Sequence, residues 1–170
     1  MPNSMVGPEL KLLGSGAGFK PQLLAMLQGS EFFGDLPAAE IDALTNYVQA
    51  YSVDAGTVIF REGDRGGFMC LIIEGGAEIF KQDHKYGSKR VGAIEPGKSV
   101  GEMALVDGEQ RSATCICPQA STLVMLTREQ FVRLIRESPA LSVNILLKLV
   151  TMMSKRLRQT SGQLVDYLQA

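Results

Sequence analysis

The chain has one histidine, His84, and three cysteines, Cys70, Cys115 and Cys117, among 170 residues. That scarcity removes most metal chemistry from consideration. A closed zinc site takes four nitrogen or sulfur ligands, and an iron or manganese enzyme on a cupin-like β-scaffold needs several histidines and carboxylates at one point. One histidine, in the polar stretch KQDHKYGSKR at residues 81–90, cannot supply them. Cys115 and Cys117 share one face of a strand but bring no further ligands. The odd cysteine count and the apolar or β-rich flanks, FMCLII and ATCICP, fit reduced, buried thiols in a reducing compartment.

An excess of either charge is missing too. Seventeen basic side chains against eighteen acidic ones give a formal net charge of -1, so there is no general electrostatic hold on nucleic acid or anionic lipid. No run approaches the roughly 18–20 consecutive apolar residues of a membrane span. The opening MPNSMVGPELKLLGSGAGF has neither the basic start nor the long apolar stretch of a secretory signal. A cytoplasmic protein with a small or specific partner is expected, with no membrane association.

What is present begins with a hydrophobic content of 45%, enough for one core at this length. Residues 1–20, with Gly14, Gly16 and Gly18, read as a flexible lead-in. Residues 21–137 read as the folded domain. PQLLAMLQ suggests a short amphipathic helix, and Pro37 with Ile41, Leu44 and Val48 suggests another of about three turns. From residue 51 to 126, brief apolar or alternating runs (TVIF, FMCLII, AEIFK, KRVGAI, ATCIC, STLVML) are punctuated by glycines. This rhythm predicts roughly eight strands in an antiparallel sandwich or roll, not βαβ units. The fold class is mainly β with flanking helices.

Thr127-x-x-Gln130 has the form of a capping box, and Ser138-Pro139 opens a longer helix over residues 138–170. On that helix Val143, Leu146, Val150, Met153, Leu157, Thr160, Leu164 and Tyr167 follow alternating steps of three and four. Such spacing is a coiled-coil seam and predicts a homodimer. The alternative is a helix packed on its own domain.

The chemistry concentrates in GEMALVDGEQRSAT, residues 101–114. Backbone amides at Gly101 and Met103-Ala104, opening a short helix, together with the fork of Arg111, suit an anion that is held and not cleaved. The Lys-Ser/Thr pair of a triphosphate loop is absent. A single arginine matches a singly charged phosphodiester. Glu102 would repel a phosphate unless it faced a different part of the ligand, and a sugar hydroxyl is a suitable donor to it. A structural turn held by a Glu102–Arg111 ion pair is the other reading.

This segment resembles the phosphate-binding cassette of cyclic nucleotide-binding domains, whose pattern is G-E, a hydrophobic residue, A or G, L, a variable spacer and R-[AST]-A, here ending Arg111-Ser112-Ala113. FFGDLPAAEIDAL resembles the family's leading helices and GTVIFREGD its first strands, so the likeness spans roughly residues 30–170. It implies a jelly-roll-like double-stranded β-helix with N-terminal helices and a long C-terminal dimerisation helix. It also implies that Glu102 takes the ribose 2′-hydroxyl, Arg111 the cyclic phosphate, Gly101 and Ala104 amide contacts, and Ser112 a further phosphate contact. RLRQTSGQLVDYL resembles the long helix of bacterial catabolite activators, where a Thr-Ser pair meets the adenine and the serine reaches in from the second subunit. Carried over, these are Thr160 and Ser161. Thr160 is also the one polar residue among the seam's otherwise apolar or aromatic d positions, and a hydroxyl bonded to its own helix backbone is the alternative role.

In eukaryotic relatives Ala after the arginine tends toward cAMP and Thr toward cGMP; Ser112 resembles bacterial cAMP receptors, so cAMP is favoured over cGMP. No helix-turn-helix follows Tyr167 before Ala170, so direct DNA binding is not expected. The reading is a stand-alone, non-enzymatic receptor without a cofactor, whose output is a downstream protein partner or ligand sequestration. Haem or iron–sulfur sensing on the same fold is the competing function, but three cysteines are too few for a four-thiolate cluster.

Overall fold

The computed structural model describes residues 9–168 except residues 84 and 86, which leaves His84 outside the described residues. Among the described residues, nine strands form two antiparallel sheets. In chain order they are β1 (Lys11–Ser15), β2 (Gln49–Val53), β3 (Val58–Phe60), β4 (Phe68–Glu74), β5 (Ala77–Asp83), β6 (Gly87–Ile94), β7 (Ser99–Val100), β8 (Thr114–Ile116) and β9 (Ser121–Thr127). One sheet runs β1-β2-β9-β4-β7 and the other β3-β8-β5-β6. The connections cross repeatedly between sheets, which makes the expected β-roll.

Alternation along the strands builds the core. Val53, Cys70, Ile72, Leu123 and Met125 of the first sheet meet Ile59, Ala77 and Cys115 of the second strand set in one buried cluster. Ile72 and Leu123 are fully buried, and each such side chain contributes about 1.5–3 kcal/mol. All three cysteines are free and buried within it. Burial pushes the Cys70 thiol up to about 12 and also raises Cys115 and Cys117. They are therefore protonated and poor nucleophiles near neutral pH.

Two expectations need correction. Residues 11–20 are not a flexible lead-in: β1 pairs with β2, with Lys11 opposite Ser52 and Leu12 opposite Tyr51, and a 3-10 turn over Ala17–Phe19 leads into helix α1 (Lys20–Gln28). The strand's partner lies far along the chain and most of its side chains are exposed, so no apolar period announces it. Gly14 is there for close packing, since a Cβ would collide with the Phe19 ring. The second helix, α2 (Ala38–Leu44), makes about two turns and excludes Val48. Thr45, Asn46 and Tyr47 close it with turns onto Ile41, Ala43 and Leu44 carbonyls, and Pro37 sits at its cap.

Helix α3 (Glu102–Asp107) lies within the segment singled out above. Helix α4 (Arg128–Glu137) begins as the capping box predicts: Gln130 N–H donates to Thr127 Oγ1 at 3.2 Å. The chain divides into two compact units between Val132 and Arg133, inside α4, where the sequence places the boundary after residue 137. The second unit contains α5 (Pro139–Leu168). Its buried residues are Leu141, Ile145 and Leu149, about one turn apart, and Ser142 beside the first of them. Of the expected seam, Val143, Val150, Leu157, Leu164 and Tyr167 are exposed, while Leu146 and Met153 are half-buried. No helix among the described residues is long and apolar enough to cross a membrane.

Candidate ligand-binding site

Gly101 begins the site. It follows β7 and caps α3 in the left-handed region, φ 85° and ψ 13°, which glycine adopts without a Cβ penalty. A side chain there would also press on Arg111 Nη1 at 2.7 Å and the Phe68 carbonyl at 3.1 Å. The helix that follows buries Glu102, Ala104 and Leu105 and exposes Met103 and Val106. Gly108, again left-handed at φ 73°, stops it by donating its N–H to the Ala104 carbonyl at 3.0 Å.

Arg111 is 4% exposed. Its Nη1 donates to the Gly101 carbonyl at 3.1 Å and its Nη2 to the Phe68 carbonyl at 2.8 Å. Phe60 and Phe68 lie 4.1 and 4.4 Å from the guanidinium carbon, an arrangement worth about 0.5–2 kcal/mol through the ring quadrupoles. Burial pushes its pKa below the ordinary value, with Asp64 and Glu102 among the groups that pull it back. It stays charged. Its Nε is the one buried side-chain nitrogen or oxygen without a hydrogen-bond partner among the described residues. A buried charged donor left unpaired is costly, and an anion in the pocket is a physical remedy.

Glu102 is 3% exposed and accepts the Ser99 hydroxyl at 2.6 Å. The β3–β4 loop clamps the other side of the cassette. Gly63 N–H donates to the Arg111 carbonyl, Arg111 N–H to the Asp64 carbonyl, and Gly66 N–H to the Glu109 carbonyl, at 2.9, 2.8 and 3.3 Å. Gly66 is required by contact: a Cβ there would overlap the Ala104 methyl. At the far end of α3, Arg128 Nη1 donates to the carbonyls of Leu105 and Val106 at 2.9 and 2.8 Å, which satisfies otherwise open helix-end acceptors.

The structure thus gathers Gly101, Glu102, Met103, Ala104, Arg111, Ser112 and Ala113 in the first unit, Ser112 exposed and Ala113 half-buried. Thr160 and Ser161 belong to α5 of the second unit and are exposed. Sequence reasoning missed Ser99, Phe60, Phe68 and Arg128. Ser99 carried a faint signal, a hydroxyl three residues before a carboxylate. The others act from strands and a helix that only the fold brings near.

The profile of the family described as the cyclic nucleotide-binding domain matches residues 50–138. Among curated proteins, the cyclic AMP receptor protein of Thermus thermophilus is 32% identical over 139 residues, 81% of this chain and 62% of the relative. A cGMP-dependent protein kinase of Plasmodium berghei is 31% identical over 63% of the chain and 12% of the kinase. The chain therefore spans less than two thirds of the length of these relatives. Among solved structures, a cyclic nucleotide-binding domain from Methylobacillus flagellatus superposes with a TM-score of 0.81 at 26% identity, covering 94% of this chain and 90% of that one. The Thermus thermophilus catabolite activator protein gives 0.71 at 30% identity over 82% and 63%.

Proposed function

Because the chain belongs to the cyclic nucleotide-binding domain family, we propose that it is a receptor for a 3′,5′-cyclic nucleotide, cAMP favoured, that acts by binding and not by catalysis. The observation that carries this reading is Arg111: a buried guanidinium with both terminal nitrogens anchored to backbone carbonyls and its Nε unpaired. It is preorganised for one anionic oxygen and pays little further ordering entropy on binding. The amides of Gly101, Ala104 and Ala113 complete the phosphate cradle, with Met103 on the rim and the exposed Ser112 hydroxyl reaching the phosphate edge. Glu102, oriented by Ser99, accepts the ribose 2′-hydroxyl. Ser112 after the arginine and the likeness to a protein named a cyclic AMP receptor favour adenine.

The proposal extends to a homodimer. Val150, Leu157 and Leu164 recur every seventh residue and are all exposed, as a seam between two copies of α5 would be in a single chain. Thr160 and Ser161 on that helix are then the contacts for the base. A net charge of -1 over these residues favours a protein over DNA as the reader of the liganded state. No resident cofactor or metal enters this account.

Titration calorimetry with cAMP, cGMP and 5′-AMP tests it. The expected order is cAMP, then cGMP, with 5′-AMP far weaker because residues 101–114 supply one cation, Arg111, for its two phosphate charges. Absence of binding by both cyclic nucleotides, or 5′-AMP binding as tightly as cAMP, overturns the reading.

A further inference from the structure

We infer that Lys81, which lies outside the cassette, is a positioning residue that sets the direction and strength of one phosphate donor, the Ala113 N–H. The inference rests on the cyclic-nucleotide reading above. Lys81 stands on β5, the strand that pairs with β8 through Phe80 and Thr114. Its Nζ donates to the Ser112 carbonyl at 2.5 Å and to Glu62 Oε1 at 3.0 Å. Glu62 is itself held: its Oε2 accepts the Gln82 N–H at 2.9 Å, and its own N–H donates to Thr114 Oγ1 at 2.9 Å. One ammonium thereby ties the loop after β3, the strand β5 and the end of the cassette together.

The peptide unit that carries the Ser112 carbonyl also carries the Ala113 N–H. There is no cis peptide among the described residues, and in a planar trans unit the C=O and N–H point in opposite directions. Pinning the oxygen toward Lys81 therefore aims the N–H away from β5. A cation on the oxygen also polarises the unit and makes its N–H a stronger donor. Neither effect needs Lys81 to touch the ligand. Lys81 is half exposed, such a partly exposed ammonium–carboxylate pair adds about 0–1 kcal/mol, and Glu62 keeps its bonds to Gln82 and Thr114 without it, so its removal leaves the fold intact and the role can be isolated.

The test compares wild type, Lys81→Met and Lys81→Arg by calorimetry with cAMP and with the Sp and Rp phosphorothioate analogues of cAMP, alongside ligand-free melting curves. Lys81→Met is expected to bind cAMP about three- to tenfold more weakly with an unchanged melting temperature. It is also expected to change the Sp to Rp affinity ratio, because the weakened donor meets only one of the two exocyclic oxygens. Lys81→Arg, which keeps a cation on the carbonyl, recovers most of the loss. Wild-type affinity in Lys81→Met, or an equal loss for both diastereomers, overturns the inference. Should the wild type bind no cyclic nucleotide, the functional reading fails separately, and the Ala113 amide proton tests the polarisation alone: it moves upfield in ligand-free Lys81→Met if the pinned peptide is real and stays in place if it is not.

Discussion

Arg111 Nη1 donates to the carbonyl of Gly101 at 3.1 Å, so the guanidinium is fixed to the residue that starts α3. Arginine, helix start and the Phe68 strand form one rigid corner. Arg111→Ala removes the charge and releases that corner together. The expected loss of cAMP affinity is at least about 2 kcal/mol, from a charge-assisted contact worth roughly 1.5–3 kcal/mol. Arg111→Lys recovers only part, because an ammonium, with its three donors on one atom, cannot span the Gly101 and Phe68 carbonyls and a phosphate as the guanidinium fork does. Calorimetry on both variants decides, and wild-type affinity in either removes Arg111 from the site.

Ser99 holds Glu102 Oε1 at 2.6 Å, which orients the carboxylate before any ligand arrives. Glu102→Gln keeps an acceptor but loses charge assistance, so cAMP binding falls by about 1–2 kcal/mol. For 2′-deoxy-cAMP the loss is near zero, since the hydroxyl is gone. Equal losses for the two ligands in competition binding would place Glu102 away from the ribose.

Leu157 is 68% exposed in one chain, and Leu157→Glu therefore costs a monomer little. In a dimer seam it sets like charges against each other at a buried junction. Sedimentation is expected to show a monomer. If Thr160 and Ser161 meet the base across that seam, the same variant binds cAMP more weakly, and cAMP tightens the wild-type dimer by the same coupling. A monomeric Leu157→Glu with wild-type affinity would show the pocket complete within one chain.

The buried thiols predict an alkaline limit to stability. The folded Cys70 value, about 12, lies above the ordinary 9.0, and Cys115 and Cys117 are shifted the same way. A group whose folded pKa is raised keeps its full contribution below the unfolded value and loses it as pH climbs toward the folded one. Unfolding free energy is thus expected to be flat in this respect below about pH 9 and to fall between about 9 and 12, by up to about 1.4 kcal/mol per pH unit for each thiol. Urea denaturation across that range checks it. Cys70→Val should flatten the slope, and an unchanged slope would mean the thiol ionises in the folded state.

Legibility in the sequence followed the range of the interactions involved. Strands such as β4 and β9, with their dense apolar runs, and the Thr127 cap are set by near neighbours and could be read directly. The cassette could be read because Gly101, Glu102 and Arg111 occupy one short segment whose chemistry is self-contained. β1 and the two-residue β7 could not, since their hydrogen bonds come from β2 and β4 and their own side chains show no period. Lys81, Glu62 and Arg128 act on the cassette from 22 to 52 positions away, and nothing local distinguishes them from solvated surface charges. On α5 the early turns are apolar on more than one side, so periodicity picked Val143, Leu146 and Val150 where one chain buries Leu141, Ile145 and Leu149.

The central claim is that the unpaired Arg111 Nε is the phosphate's partner. The most direct measurement is the arginine Nε–H region of a nitrogen-15 correlation spectrum, with the Arg111 signal assigned by its loss in Arg111→Lys. The account predicts that saturating cAMP moves this resonance downfield, as a new hydrogen bond to an anionic oxygen requires, and that adenosine, which lacks the phosphate, leaves it in place. An Arg111 Nε–H signal that does not move while cAMP is bound would contradict the account.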